Sequence, residues 1–367
     1  MCSMLLSPAS RSSLARHGLA AVALSLAACS GTESKPAPPK ADASAKDSGH
    51  TDAAMDAASS DASEAVDAGV TRTLITEPDQ GITPFYDVVT SAKKTIDVTM
   101  YELRDTTFTG LLTTAAAKGV AVRVILDQNL EMHSNTAAYD ALMAGNVSVH
   151  WANTVYAATH QKTITVDGRT SAVMSLNLVT SDYATTRDFA VITNDAADVA
   201  AIETVFGDDF TNATVTPPLG DDLVWSPTNS ESVMVGLIKG AKTSLLVENE
   251  EMSDTDVVAA LEIAATSGVN VEIVMTASNS WDTEFTTLVA DGAKVVTYAE
   301  NASLYIHAKV ILADFGEQGA QVLIGSENFS NASLTENREL GVILTDPSIL
   351  TSINTTLSSD FKGGTAY

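Results

Sequence analysis

The chain is predicted to be an α/β protein built from two duplicated half-domains related by a pseudo-two-fold axis, each a mostly parallel sheet flanked by helices. Three observations predict this. The pattern HxKxxxxD occurs twice, as His160, Lys162, Asp167 and as His307, Lys309, Asp314. The stretch Ser91-Ala92-Lys93-Lys94-Thr95-Ile96 lines up with Gly240-Ala241-Lys242-Thr243-Ser244-Leu245, and Gly119-Val120-Ala121-Val122 with Gly268-Val269-Asn270-Val271, at one shared offset of 149. Short apolar runs alternate with helical stretches of about ten residues, as in strands joined by crossover helices.

The elements follow in order. An amphipathic segment from Pro84 to Lys94 leads to a strand over Ile96 to Tyr101, a helix over Phe108 to Lys118 and a strand over Val120 to Leu126. A helix over Thr136 to Ala144 and a strand over Val147 to Trp151 come next. The motif strand spans Lys162 to Val166, followed by strands at Ser171 to Ser175 and near Phe189 to Thr193 and a helix over Ala196 to Phe210. Thr216-Pro217-Pro218-Leu219-Gly220 breaks the chain, so the halves are 71–215 and 216–367, the second repeating the order from Ser230 to about Phe361. With 45% hydrophobic and 18% charged residues, the chain has the composition of a folded domain. Each half is long enough to bury a core of its own.

The motif suits phosphoryl chemistry. On a strand, side chains alternate faces, so a His and a Lys two residues on project to the same side, about 7 Å apart. An imidazole serves as nucleophile or proton donor near pH 7, and an ammonium holds a phosphoryl oxygen. Two such strands face to face divide the work, one His attacking phosphorus and the other protonating the leaving oxygen.

These residues resemble the phospholipase D superfamily, whose signature is HxKxxxxD followed by a Gly-Ser-x-Asn turn. Here the turns read Ser175-Leu176-Asn177 and Gly325-Ser326-Glu327-Asn328, and the resemblance extends from about residue 71 to 361. It implies a duplicated phospholipase D-like fold that works without metal or cofactor. By the same resemblance His160 is the nucleophile that becomes a phosphohistidine and His307 the general acid. Lys162, Lys309, Asn177 and Asn328 would hold the non-bridging oxygens, with Ser175 and Ser326 giving supporting hydrogen bonds. Asp188 and Glu339 stand where the family carries acids that orient the imidazole of the opposite half, while Asp167 and Asp314 at strand ends suit a structural role. The chain departs from the pattern at Met174, opposite Gly325, where a larger side chain is expected to narrow the pocket.

Other polar features carry less. Glu248, Glu250, Glu251, Asp254 and Asp256 read as a solvated acidic loop rather than a cation site. His133 and His150 lack motif context, and Tyr101, Trp151, Trp225 and Trp281 read as core or surface rather than as a head-group pocket.

The amino terminus reads as targeting sequence. Arg11, Arg16 and His17 precede the apolar run Leu19 to Ala28, and Leu26-Ala27-Ala28-Cys29 resembles a bacterial lipobox, with a plain secretory signal as the alternative. The resemblance implies a signal over 1–28, acylation of Cys29 and, with Ser30 next, an outer-membrane location in the cell envelope. Residues 29–70, rich in Ala, Ser, Asp and Pro, read as a flexible acidic tether. Cys2 and Cys29 are the only cysteines, so the globular part needs no disulfide and offers no thiolate to a metal.

Charge narrows the substrate. A net charge of −26 opposes a polyanion, so nucleic acid is disfavoured as a partner. The expectation is a lipid-anchored, monomeric phospholipase D-like phosphodiesterase acting on phospholipid, by hydrolysis or transphosphatidylation. The alternatives are a cardiolipin synthase-like phosphatidyltransferase, disfavoured by the lack of amino-terminal spanning segments, a metal-independent endonuclease, and a non-enzymatic surface lipoprotein.

Overall fold

The computed structural model describes residues 69–367; the signal segment, Cys29 and the tether up to residue 68 lie outside the described residues. The first half runs β1 (Arg72–Glu77), α1 (Thr83–Ser91), β2 (Thr95–Met100), α2 (Thr106–Ala117), β3 (Ala121–Leu126), α3 (Met132–Ala144), β4 (Ser148–Trp151), β5 (Thr163–Val166), β6 (Thr170–Met174), β7 (Thr186–Thr193) and α4 (Ala196–Phe210). The second half runs β8 (Leu223–Ser226), α5 (Ser230–Gly240), β9 (Ser244–Glu248), α6 (Thr255–Thr266), β10 (Asn270–Thr276), α7 (Asp282–Ala290), β11 (Lys294–Tyr298), β12 (Tyr305–Ile306), β13 (Val310–Ala313), β14 (Gln321–Gly325), α8 (Asn331–Thr335), β15 (Glu339–Leu344), α9 (Pro347–Gly363) and β16 (Thr365–Ala366).

The sheets have the orders β1-β7-β6-β5-β2-β3-β4 and β16-β11-β10-β9-β13-β14-β15-β8, so every strand of the first path has a counterpart in the second. The sheets are mixed rather than mostly parallel. Strands β2, β3 and β4 are parallel, because α2 and α3 carry the chain back between them. On the other side β5, β6, β7 and β1 pair antiparallel, since no helix separates the motif strands. The β5–β6 turn is Asp167-Gly168, with φ of 55° and 59°, the left-handed pair that a tight hairpin needs.

One apolar core sits under the first sheet around Phe85, Met100, Phe108 and Leu126, and another under the second around Met234, Leu261, Ile273 and Phe285. A third lies between the halves, where Val173, Phe189 and Val191 of the first sheet meet Val310, Ile324 and Leu340 of the second, flanked by α4 and α9. Burial at this seam stabilises each large side chain by about 1.5–3 kcal/mol.

Polar contacts across the seam are reciprocal, as a two-fold relation requires. Arg187 on β7 donates from Nε and Nη2 to Asp360 of α9 at 2.6 and 3.1 Å. Its counterpart Arg338 lies 2.9 Å from Asp209 of α4. Strand β12 leaves its own half and pairs parallel with β7, Tyr305 opposite Thr186 and Ile306 opposite Arg187, and Thr159 bridges Arg338 in the same way.

Candidate active site

The seam positions the histidines. His160 and Gln161 donate their backbone N–H groups to Arg338 O at 2.9 and 2.8 Å, and His307 donates its own to Arg187 O at 3.2 Å. The residues after those arginines are Glu339 and Asp188, and because side chains alternate along a strand, each arginine turns one way and each acid the other. Each motif histidine thereby meets the acid of the opposite half. His160 Nδ1 lies 2.7 Å from Glu339 Oε2 and 3.1 Å from Ser326 O, and His307 Nδ1 lies 2.7 Å from Asp188 Oδ1. An ionised carboxylate only accepts, so the proton sits on Nδ1 and Nε2 is left for chemistry.

The acids are fixed in turn. Ser175 Oγ donates to Asp188 at 2.5 Å, and Glu339 Oε1 accepts from Ser333 Oγ at 2.5 Å and from Asn337 at 2.9 Å. Ser326 Oγ accepts from Leu340 N at 3.2 Å, locking the second turn to β15. Burial alone would raise the Glu339 carboxyl, but His160, Lys162 and the Ser333 hydroxyl outweigh it and hold Glu339 below the usual range. His160 is lowered, chiefly by burial and further by the Lys162 and Lys309 ammoniums, against the pull of Glu339; its imidazole is neutral at pH 7.

The lysines differ. Lys162 Nζ donates to His160 O at 2.6 Å and lies 4.8 Å above the Tyr101 ring. Fully buried, with the carboxylates of Glu339, Glu250 and Asp188 only partly offsetting burial and the Lys309 charge, it is lowered to about 7. Lys309 Nζ also donates to its own histidine's carbonyl, His307 O, and in addition to Glu250 Oε2 at 3.1 Å. Lys162, from the first half, senses Glu339, Lys309 and Glu250 of the second half as well as Asp188 of its own, so the motifs share one site.

Asn328 Nδ2 lies 3.5 Å from Glu250 Oε2, and its backbone N–H donates to Ser333 Oγ at 2.7 Å. Asn177 holds the corresponding position after β6; the Oδ1 atoms of both asparagines are buried and take no hydrogen bond from the described residues. Asp167 and Asp314 lie at the far ends of their strands. Asp167 accepts from the backbone N–H groups of Lys93, Lys94 and Thr95, and Asp314 from those of Lys242, Thr243 and Ser244. They tie the motif strand to the start of β2 and β9 and hold no part of the site.

Several expectations are corrected. Met174 does not narrow the pocket: its side chain is fully buried in the first-half core. Gly325 is required by packing, since a Cβ there would meet Glu327 Oε2 at 2.2 Å and Gly341 Cα at 2.5 Å. Burial, with the Glu339 charge, pushes that Glu327 carboxyl well above the usual range, and it stands where the first half carries the buried Leu176.

Nor is the acidic run a solvated loop. Glu248 is fully buried, Asp254 caps α6 by accepting from Asp256 N and Val257 N, and only Asp256 is exposed. Glu250 enters the site: Oε1 accepts from Tyr305 OH at 2.9 Å, and Oε2 lies 3.5 Å from His307 Nε2. Tyr101 also belongs to the site, its ring edge-on to His160 at 4.5 Å between centroids. Trp225 is core, with its indole N–H donating to Pro218 O at 2.9 Å, and Trp151 stacks on Tyr139. His133 is exposed and His150 stacks on Phe210, both away from the site.

Glu250 and Tyr305 escaped the sequence reading because neither lies in the motif. The repeat offset of 149 places Glu250 opposite Tyr101, and that alignment was the available signal. Among the described residues, Asp195, Asp198 and Asp222 form the one acidic cluster close enough to hold a cation, but Arg72 bonds to Asp195 and Asp222 and supplies the countercharge.

Comparison with known proteins shows the family and the fold. A family model described as cardiolipin synthase, PLD-like domain, matches residues 86–210 and again 234–361. The phosphatidylserine synthase of Haemophilus influenzae superposes with a TM-score of 0.62 at 12% identity, covering 81% of this chain and 87% of its own. The polyphosphate kinase of Porphyromonas gingivalis gives a TM-score of 0.62 at 14% identity over 79% of this chain; the match spans only 50% of the kinase. The phospholipase D family member Nuc of Salmonella typhimurium is 26% identical over 40% of this chain and 95% of its own, with a TM-score of 0.36. A comparison with curated proteins gives no match.

Proposed function

This chain belongs to the family of cardiolipin synthase and phospholipase D-like domains, and from that membership and the site geometry we propose that it is a phosphodiesterase acting on phospholipid through a phosphohistidine. The observation that carries the reading is the reciprocal pairing, His160 with Glu339 and His307 with Asp188, beside the two motif lysines.

His160 suits the nucleophile. Burial keeps it neutral, Glu339 fixes its proton on Nδ1, and Nε2 is free to attack phosphorus as the P–O bond to the leaving alcohol breaks. His307, oriented by Asp188, donates the proton that the leaving oxygen takes up and then removes one from the incoming acceptor. Lys162, Lys309, Asn177 and Asn328 steady the charge that gathers on the non-bridging oxygens. Water as acceptor yields phosphatidic acid and the head-group alcohol; another alcohol yields a new phosphodiester. The same phosphohistidine serves both outcomes, so the choice rests on which acceptor reaches it.

A lipid anchor on Cys29, with residues 30–70 as tether, would hold the enzyme at the envelope membrane and remove the need for long-range attraction to an anionic surface. The net charge of −26 weighs against nucleic acid. The test is head-group release from mixed phospholipid vesicles, with and without added primary alcohol, beside plasmid nicking by the same preparation. Lipid turnover without nicking supports the reading, and nicking alone overturns it.

A further inference from the structure

Glu250 has no counterpart in the other half. The repeat offset places it opposite Tyr101, so the first half presents an aromatic ring to its histidine and lysine while the second presents a carboxylate. Three groups surround that carboxylate's Oε2: Lys309 Nζ at 3.1 Å, Asn328 Nδ2 at 3.5 Å and His307 Nε2 at 3.5 Å. They are the second-half groups that the phosphodiesterase reading sets around the phosphodiester, Lys309 and Asn328 at the non-bridging oxygens and His307 at the leaving one. An internal anion therefore shares the donors that a substrate anion needs. Tyr305 OH donates to Oε1 at 2.9 Å and holds it there. The carboxylate is ionised: burial alone would raise it, but Lys309, His307 and the hydrogen bonds from Tyr305 and Lys309 leave it far below the usual range.

We propose that Glu250 makes the site selective by charge, admitting a phosphodiester, which carries one negative charge, and rejecting the doubly charged phosphomonoester or inorganic phosphate. The proposal rests on the phosphodiesterase reading and adds to it the residue that selects the substrate by its charge. Hydrolysis of R–O–PO2⁻–O–R′ with water gives R–O–PO3H⁻ and HO–R′, and the monoester loses its second proton near pH 6. The product thus gains a charge that the substrate lacked, next to a fixed carboxylate, and is expelled. Transfer to another alcohol makes a second diester, which meets no such penalty.

The test is calorimetric titration of the purified full-length protein at pH 8 with inorganic phosphate and, separately, with diethyl phosphate. Two unit charges about 4 Å apart interact strongly at a partly buried site, so Glu250→Gln is expected to bind phosphate about tenfold more tightly or better. Its affinity for diethyl phosphate, which carries half the charge, should rise only about threefold. Glu250→Asp, which keeps the charge, should keep the wild-type ratio of the two affinities. Equal changes for both anions in Glu250→Gln, or none, would overturn the proposal, as would an Asp variant that behaves like Gln. If neither anion binds any of the proteins, the phosphoryl site itself fails and the proposal falls with it. A wild type that binds both anions alongside an unresponsive Gln variant sinks the charge filter alone.

Discussion

Raising the pH should weaken substrate capture before it slows turnover, because Lys162 is lowered to about 7 by its burial and by the Lys309 charge. Among the described residues its Nζ has no carboxylate within hydrogen-bonding distance and donates only to His160 O. The free protein is therefore losing the ammonium as pH passes 7, while a bound phosphodiester anion restores it. In kcat/KM, which reports the free enzyme, one proton is lost and the value should fall about tenfold per pH unit above roughly pH 7. The same group in the complex is held charged, so kcat should stay flat to higher pH. The assay is release of a fluorescent alcohol from a phosphodiester at pH 6 to 9, in wild type and Lys162→Arg. Arginine stays charged throughout and should remove the alkaline limb of kcat/KM, at a lower overall rate from its different shape. A limb that persists in Lys162→Arg would assign it to another acid and refute the argument. Stability carries the opposite sign. The folded value lies below the unfolded one, so between about 7 and 10.5 the unfolded chain binds more protons. Stability should rise with pH by up to about 1.4 kcal/mol per unit in that window, and Lys162→Met should abolish the rise.

Further outcomes are expected. His160→Ala and His307→Ala should each abolish turnover while keeping wild-type circular dichroism and melting; substantial activity in either removes the two-histidine mechanism. Glu339→Gln and Asp188→Asn leave the imidazoles present but unfixed, and should lower kcat by about 10² to 10⁴ with little change in KM. Arg338→Met, which strands the half-seam acid Asp209, should cost about 3–5 kcal/mol in denaturant unfolding, as should Arg187→Met through Asp360. Asp314→Ala should destabilise by about 1–2 kcal/mol at pH 7 with activity kept, as it removes backbone contacts outside the site. Burial raises the Asp314 carboxyl, but the backbone N–H groups of Thr243, Lys242 and Ser244 together outweigh it and hold the group below its usual value. Its contribution is therefore present above the unfolded value and is lost as pH falls through the folded one.

Much of the site was legible in the residues because phosphoryl chemistry constrains spacing. The motif gave both histidines and both lysines, and the acids at 188 and 339 followed from the family pattern; the structure sets each against the histidine of the opposite half. The hidden parts are those that depend on packing between strands distant in sequence. Glu250 sits among charged neighbours in a short loop and reads as solvated, yet the approach of β12 and the motif lysine draws it inward. The helix-strand alternation around β2, β3 and β4 was real and suggested a parallel sheet. The Asp167-Gly168 dipeptide was the sign that the sheet turns antiparallel beyond β5. Gly325 belongs to the turn that the family shares, and the Glu327 carboxyl packed against it is what excludes a larger residue.

The most direct test of the central claim is to quench the enzyme with acid-free denaturant during turnover of a labelled phospholipid and map the label by mass spectrometry. A base-stable, acid-labile adduct is predicted on the peptide carrying His160, and it should be lost in His160→Ala. Label on His307 would reverse the roles, and active enzyme with no adduct on either histidine would contradict the two-step mechanism.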